Sequence, residues 1–131
     1  MVGLVLVSHS KQLAEGLLDM VRQVAGPEAA IAVAGGTDDG RLGTSAALIL
    51  TAIDSVDTGD GVLVLVDLGS AVMTTDLVID EMPLERRPRV RISGAPLVEG
   101  AIAAAVHASI GASLDEVAAA ADTARLADKV L

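Results

Sequence analysis

Cysteine, tryptophan, tyrosine and phenylalanine are all missing from the 131 residues. Without cysteine there is no disulfide framework to point to secretion. Without aromatic rings the core has to be built from Val, Leu, Ile, Met and Ala, side chains that suit thin layers of helix on sheet. Basic residues are also few. Nine Lys and Arg stand against eighteen Asp and Glu, a net charge of -9, which repels a phosphate backbone and argues against nucleic acid as a partner. Hydrophobic residues make up 52% of the chain, yet no apolar run approaches the roughly 20 residues that span a bilayer. The N-terminal run has no basic n-region, is broken by Gly3 and stops at His9, unlike a signal peptide. These absences predict a soluble cytoplasmic protein with no membrane partner, and the length suits one domain.

What is present has the rhythm of an open α/β sheet. GLVLVS (3–8), AIAVAG (30–35) and GVLVLV (61–66) read as strands buried on both faces, as a parallel sheet covered by helices requires. RPRVRIS (87–93) differs, with Arg87, Arg89 and Arg91 alternating against Pro88, Val90 and Ile92, and it predicts a half-exposed edge strand. Helices are expected over 11–25, 44–56, 70–82, 97–110 and 114–128. In the first, Leu13, Leu17, Met20, Val21 and Val24 form a stripe expected to face the core, and Gly26-Pro27 ends it. Ser113 opens a capping box with Glu116.

In such a sheet, ligands sit beyond the carboxyl ends of the strands, where the strand order reverses. If the order is 2-1-3-4, His9 after the first strand and Asp67 after the third meet in one crevice. A lone histidine can equally be a solvated loop residue; spacing does not separate the two readings. With a carboxylate behind it, a histidine serves as general base, metal ligand or nucleophile. Metal would need more ligands, and the other histidine, His107, lies in an Ala-rich helix and reads as a surface or interface residue. No metal or directly bound cofactor is therefore expected. No G-x-S-x-G elbow supports a serine nucleophile. What remains is His9 as the nucleophile, with Asp67 fixing its tautomer. Ser8 and Ser10 are expected to donate hydrogen bonds to a group on the ring, and Gly69 and Ser70 lie at a helix start that could cradle phosphate oxygens.

The loop AGGTDDGRLGTSA (34–46) has Walker A glycine spacing but places Arg41 and Leu42 where Lys and Ser or Thr belong, with Asp38 and Asp39 repelling phosphate. It is not a P-loop. Thr44 or Ser45 is expected to cap the following helix, while Gly36, Thr37 and Arg41 are candidates for bordering the crevice, Arg41 to neutralise phosphate. The arginine run 86–91 reads as a solvated edge or a dock for an acidic partner.

LVLVSHS, GTDDGRLGTSAALIL, VLVLVDLGSAV and VRISGAPLVEGAIAA, in that order, resemble the mannose-type IIA family of the phosphoenolpyruvate-dependent phosphotransferase system, in its dihydroxyacetone kinase branch. The resemblance spans nearly the whole chain. It implies an open, mainly parallel four-stranded sheet with helices on both faces, a homodimer, His9 as the phosphorylated residue and Asp67 as its partner. It implies HPr as donor and, as acceptor, ADP held with Mg on the subunit DhaL, the ATP formed then phosphorylating dihydroxyacetone on DhaK. Some family members continue into HPr-like and enzyme-I-like domains; residues 1–131 are expected to form a single IIA domain with no such fusion. Two other acceptors are open: a IIB subunit of a sugar transporter, or a regulator that reads His9 phosphorylation. Helix 97–110 and strand 87–93 are candidates for the dimer interface.

Overall fold

The computed structural model of the protein describes residues 1–130. Strands β1 (Gly3–Ser8), β2 (Ile31–Gly35), β3 (Val62–Val66) and β4 (Val90–Ile92) form one parallel sheet in the order β2-β1-β3-β4. Helices α1 (Lys11–Ala25), α2 (Ala46–Val56), α3 (Gly69–Asp80), α4 (Leu97–Ser109) and α5 (Leu114–Thr123) cover both faces. The expected fold class and strand order are borne out. Among the described residues no helix is long and apolar enough to cross a membrane.

The alternation of Leu and Val in the central strands decides what each face packs against. Leu4, Leu6, Leu63 and Leu65 point to one face, where α1, α4 and α5 meet them mostly with small side chains, including Ala101, Ala104, Ala105, Ala108, Ala118 and Ala121. Val5, Val7, Val62, Val64 and Val66 point to the other, against Ile49 and Ile53 of α2 and Val78 of α3. Long side chains from the sheet thus meet short ones from α4 and α5, which lets the layers approach closely without aromatic filling. Each buried Leu or Val contributes about 1.5–3 kcal/mol relative to exposure.

Three expectations are corrected. The edge strand is only Val90–Ile92, because Arg87–Arg89 forms a 3-10 turn. Pro88 has no N–H for a strand ladder and a fixed φ that suits a helical first turn, and the arginines find acceptors nearby while Arg89 and Arg91 stay exposed. Arg86 pairs with Asp54 and Asp57, Arg87 donates to the carbonyls of Asp80 and Met82 at the end of α3, and Arg91 pairs with Asp115. The last helix stops at Thr123 and continues only as a 3-10 turn to Leu126, since beyond Ala121 the described chain buries no side chain that would hold another turn.

The third correction concerns α1. Its core face is Ala14, Leu17 and Val21, with Leu18 and Ala25 packed beside them, while Leu13, Met20 and Val24 are about half exposed. Ala14 rather than Leu13 turns inward because Gly35 presses the end of β2 against α1. A Cβ at Gly35 would lie 2.6 Å from Lys11 Cα and 3.0 Å from Ala14 Cβ. Arg22, on the opposite flank of α1, reaches Ile31 O in β2, so the Leu13, Met20 and Val24 flank faces α4. On α4, Val98, Ile102 and Val106 are partly exposed, Glu99 pairs with Lys129 of the C-terminal segment, and His107 lies near Glu116 of α5. Leu13, Met20 and Val24 of α1 and Val98, Ile102 and Val106 of α4 are thus apolar side chains left partly outside the core.

Candidate functional site

Parallel pairing of β1 and β3 puts Val7 beside Val66, so His9 and Asp67 leave the sheet side by side at the point where the strand order reverses. Asp67 binds the turn after β1 with both oxygens. Oδ2 accepts from His9 N and from Ser8 Oγ, each at 2.9 Å; Oδ1 accepts from Leu68 N at 2.7 Å and from His9 Nδ1 at 2.9 Å. Every partner is a donor and the four lone-pair sites are filled. The network therefore assigns the ring proton to Nδ1 and leaves the lone pair on Nε2. Burial pushes the Asp67 carboxyl upward, but the hydrogen bonds from His9 backbone and ring, Ser8 and Leu68 outweigh it and hold the group below its ordinary value. Asp67 is thus a charged, immobilised acceptor.

Nε2 faces the start of α3, where Ser70 Oγ donates to it at 2.6 Å. The N-cap of α3 is Leu68, which offers no side-chain acceptor to the first turn. Gly69 opens the helix, and a Cβ there would meet nothing within 4 Å, so this end is open to an incoming group. The N–H groups of such a first turn attract anions.

The expected serine roles divide. Ser8 is 1% exposed, and its hydroxyl is committed to Asp67 and Ser10 N. Ser10 is the N-cap of α1, its Oγ accepting from Leu13 N at 3.2 Å. Neither hydroxyl bonds the ring; Ser70 does. The loop 36–44 is tied to the site through its backbone, Gly36 N donating to Ser8 O at 3.1 Å and Gly43 N to His9 O at 2.9 Å. Gly36 is required here, with φ of +76° and a Cβ position 2.9 Å from Arg41 O. Thr37 Oγ1 closes the loop by accepting from Arg41 N at 3.0 Å. The Arg41 guanidinium is paired with Asp39 at 2.9 Å and is not turned to the histidine. Ser45, not Thr44, caps α2; Thr44 bonds Thr74 of α3 at 2.8 Å.

Sequence reasoning missed the Leu68 and Gly43 N–H groups, whose roles depend on backbone direction and leave no compositional trace. It also missed an apolar surround. Leu42 and Met73 are 81% and 70% exposed, and Leu13 and Leu68 are exposed beside the site as well. An aliphatic residue inside polar DDGRLGTS was the available signal. His107 lies on α4, its Nδ1 donating to Ala103 O at 2.9 Å. Among the described residues no group of three or more His, Asp or Glu could hold a metal ion. A groove of about 350 Å³ between α2 and α3, lined by Leu50, Val78, Met82 and Arg86 among others, does not include His9. The His9 side chain is 23% exposed.

A parallel sheet of order 2-1-3-4 with a histidine and a carboxylate locked together at its switch point defines an α/β domain built to present one imidazole nitrogen. Residues 3–118 match the EIIA-man family, described as the PTS system fructose IIA component, and the chain belongs to that family. It is 42% identical to the phosphoryl donor subunit DhaM of phosphoenolpyruvate-dependent dihydroxyacetone kinase from Escherichia coli, over 89% of this chain and 25% of the relative. The chain thus spans about a quarter of the length of that protein. It is 36% identical to the DhaM subunit of dihydroxyacetone kinase 2 from Listeria innocua, over 89% of this chain and 94% of the relative. A crystal structure of a protein of unknown function superposes with a TM-score of 0.87 at 35% identity, covering 99% of this chain and 98% of that one.

Proposed function

We propose that the protein is a phosphohistidine carrier, taking a phosphoryl group from HPr onto His9 and passing it to ADP, bound with Mg on DhaL, so that ATP is regenerated for phosphorylation of dihydroxyacetone on DhaK. The observation that carries this reading is the four-donor clamp on Asp67, which keeps the proton on Nδ1 and leaves Nε2 free to react. In charging, the Nε2 lone pair attacks the phosphorus of the donor phosphohistidine; the donor P–N bond breaks and its electron pair returns to the donor imidazole. In discharge, a terminal phosphate oxygen of ADP attacks, the P–Nε2 bond breaks, and ATP and neutral His9 result. Ser70 leaves Nε2 as the bond forms and donates to a phosphoryl oxygen instead, together with N–H groups at the start of α3.

The exposed Leu13, Leu42, Leu68 and Met73 favour macromolecular donors and acceptors over an enclosed small substrate. The two relatives, both named phosphoryl donor subunits, favour the dihydroxyacetone kinase branch over a sugar-transport IIB subunit or a regulator as acceptor. In this reading residues 1–131 act as one IIA unit in the cytoplasm. The protein also pairs with a second copy through the exposed apolar side chains of α1 and α4: each copy carries a charge of -9, and apolar side chains bring two copies together without like-charge contacts.

Incubation with phosphoenolpyruvate, enzyme I and HPr should add one acid-labile phosphoryl group by intact mass, absent in His9→Ala and discharged by Mg²⁺, ADP-loaded DhaL. Phosphorylation that DhaL does not discharge points to the other acceptors. No phosphorylation with an active relay overturns the carrier reading.

A further inference from the structure

We propose that Ser8 is a positioning residue that fixes the histidine tautomer through Asp67 without touching the transferred group. The inference rests on the carrier reading for its functional consequence and on geometry for its structural one. Ser8 is the last residue of β1 and one of the few buried polar side chains, at 1% exposure. Its Oγ accepts from Ser10 N at 3.0 Å, which directs its own proton to Asp67 Oδ2 at 2.9 Å. The same Oδ2 accepts from His9 N. Consecutive residues 8, 9 and 10 therefore close on one carboxylate oxygen, two directly and Ser10 through the Ser8 hydroxyl. Oδ1 is left to Leu68 N and the imidazole. The carboxylate can neither rotate nor slide without breaking a bond to the very turn that carries the histidine.

Ser8 is held in turn by the sheet and the neighbouring loop, its carbonyl accepting from Gly36 N and its backbone pairing with Gly35 of β2. Removing the hydroxyl leaves Oδ2 with a single donor and Ser10 N–H without its acceptor. The carboxylate then gains freedom to tilt, and the constraint that selects Nδ1–H over Nε2–H weakens. A ring with its proton on Nε2 has no lone pair with which to attack phosphorus.

The test compares Ser8→Ala, Ser8→Thr and Ser8→Cys with the unsubstituted protein. Nitrogen-15 NMR of labelled histidine, in the unphosphorylated state with the imidazole neutral, reads the tautomer of His9. Nδ1–H alone is expected for the unsubstituted protein and for Ser8→Thr, which keeps the hydroxyl. Ser8→Ala should show a mixture with Nε2–H and a charging rate from HPr lower by about three- to tenfold, the scale of one ordinary hydrogen bond. Ser8→Cys keeps the shape with a weaker donor and should fall between, which decides the matter if the alanine variant does not fold. A single Nδ1–H tautomer with unchanged charging in folded Ser8→Ala or Ser8→Cys overturns the proposal. If even the unsubstituted protein is not charged, the carrier reading fails, and the tautomer still decides the part of Ser8.

Discussion

A carboxylate that accepts four hydrogen bonds is more than a counter-charge; it is a template on which the turn after β1 is folded. Asp67→Asn tests that directly, since an amide puts an NH2 group where one pair of donors now points. The carboxyl is held below the ordinary value of about 3.9. Its stabilising contribution is fully present above that value and is lost as pH falls through the lowered one. The asparagine variant, which does not titrate there, should be less stable than the unsubstituted protein near neutrality, and the gap should close as pH drops below about 4. Urea unfolding between pH 2 and 7 measures it; a gap still open at pH 2 would mean that the charge is not its source. At this scale His9 and Asp67 were legible, because each directly follows an apolar run and parallel pairing had to bring them together. The direction of Ser8 was not. Whether a hydroxyl at a strand end points out to a ligand or inward to a carboxylate depends on strand pleat, and the local sequence is the same in both cases.

Among the elements, α4 is the one most constrained by what the sheet sends against it. Ala104 is fully buried beneath the Leu face of the sheet, where the close approach of helix and sheet leaves no room for a longer side chain. Ala104→Leu should cost about 1–3 kcal/mol by overpacking, seen as a lower urea midpoint with unchanged slope; a neutral or stabilising result would mean that the layer has slack. Sequence periodicity revealed every helix and all four strands, but not which of two apolar stripes on α1 is inside. Leu13, Leu17, Met20 and Val24 form as good a pattern as Ala14, Leu17, Val21 and Ala25. The choice falls to the second because β2 meets α1 through Gly35, a contact with no periodic signature. The arginine run misled for a similar reason. Period-2 alternation is also compatible with a 3-10 turn whose arginines each find a carbonyl or carboxylate nearby.

For the whole molecule, the stripe left outside on α1 matters more than one taken inward would have. With Val98, Ile102 and Val106 it offers apolar side chains to a second copy in a two-fold arrangement, each patch meeting its own equivalent. Light scattering should give twice the chain mass. Met20→Asp together with Ile102→Asp places like charges opposite one another across such an axis, at a cost of several kcal/mol, and should yield a monomer that still accepts phosphate at His9. A monomeric unsubstituted protein would defeat the pairing.

The loop 36–44 is tied to the turn that carries the histidine by main-chain bonds, from Gly36 N to Ser8 O and from Gly43 N to His9 O. Those bonds ask nothing of the side chains at 38–42 beyond what Gly36 and Thr37 already require. The geometry at His9 is therefore written apart from the side chains at 38–42. A descendant of this protein could acquire a new correspondent by rewriting a handful of loop residues while the turn that carries His9 is inherited unaltered.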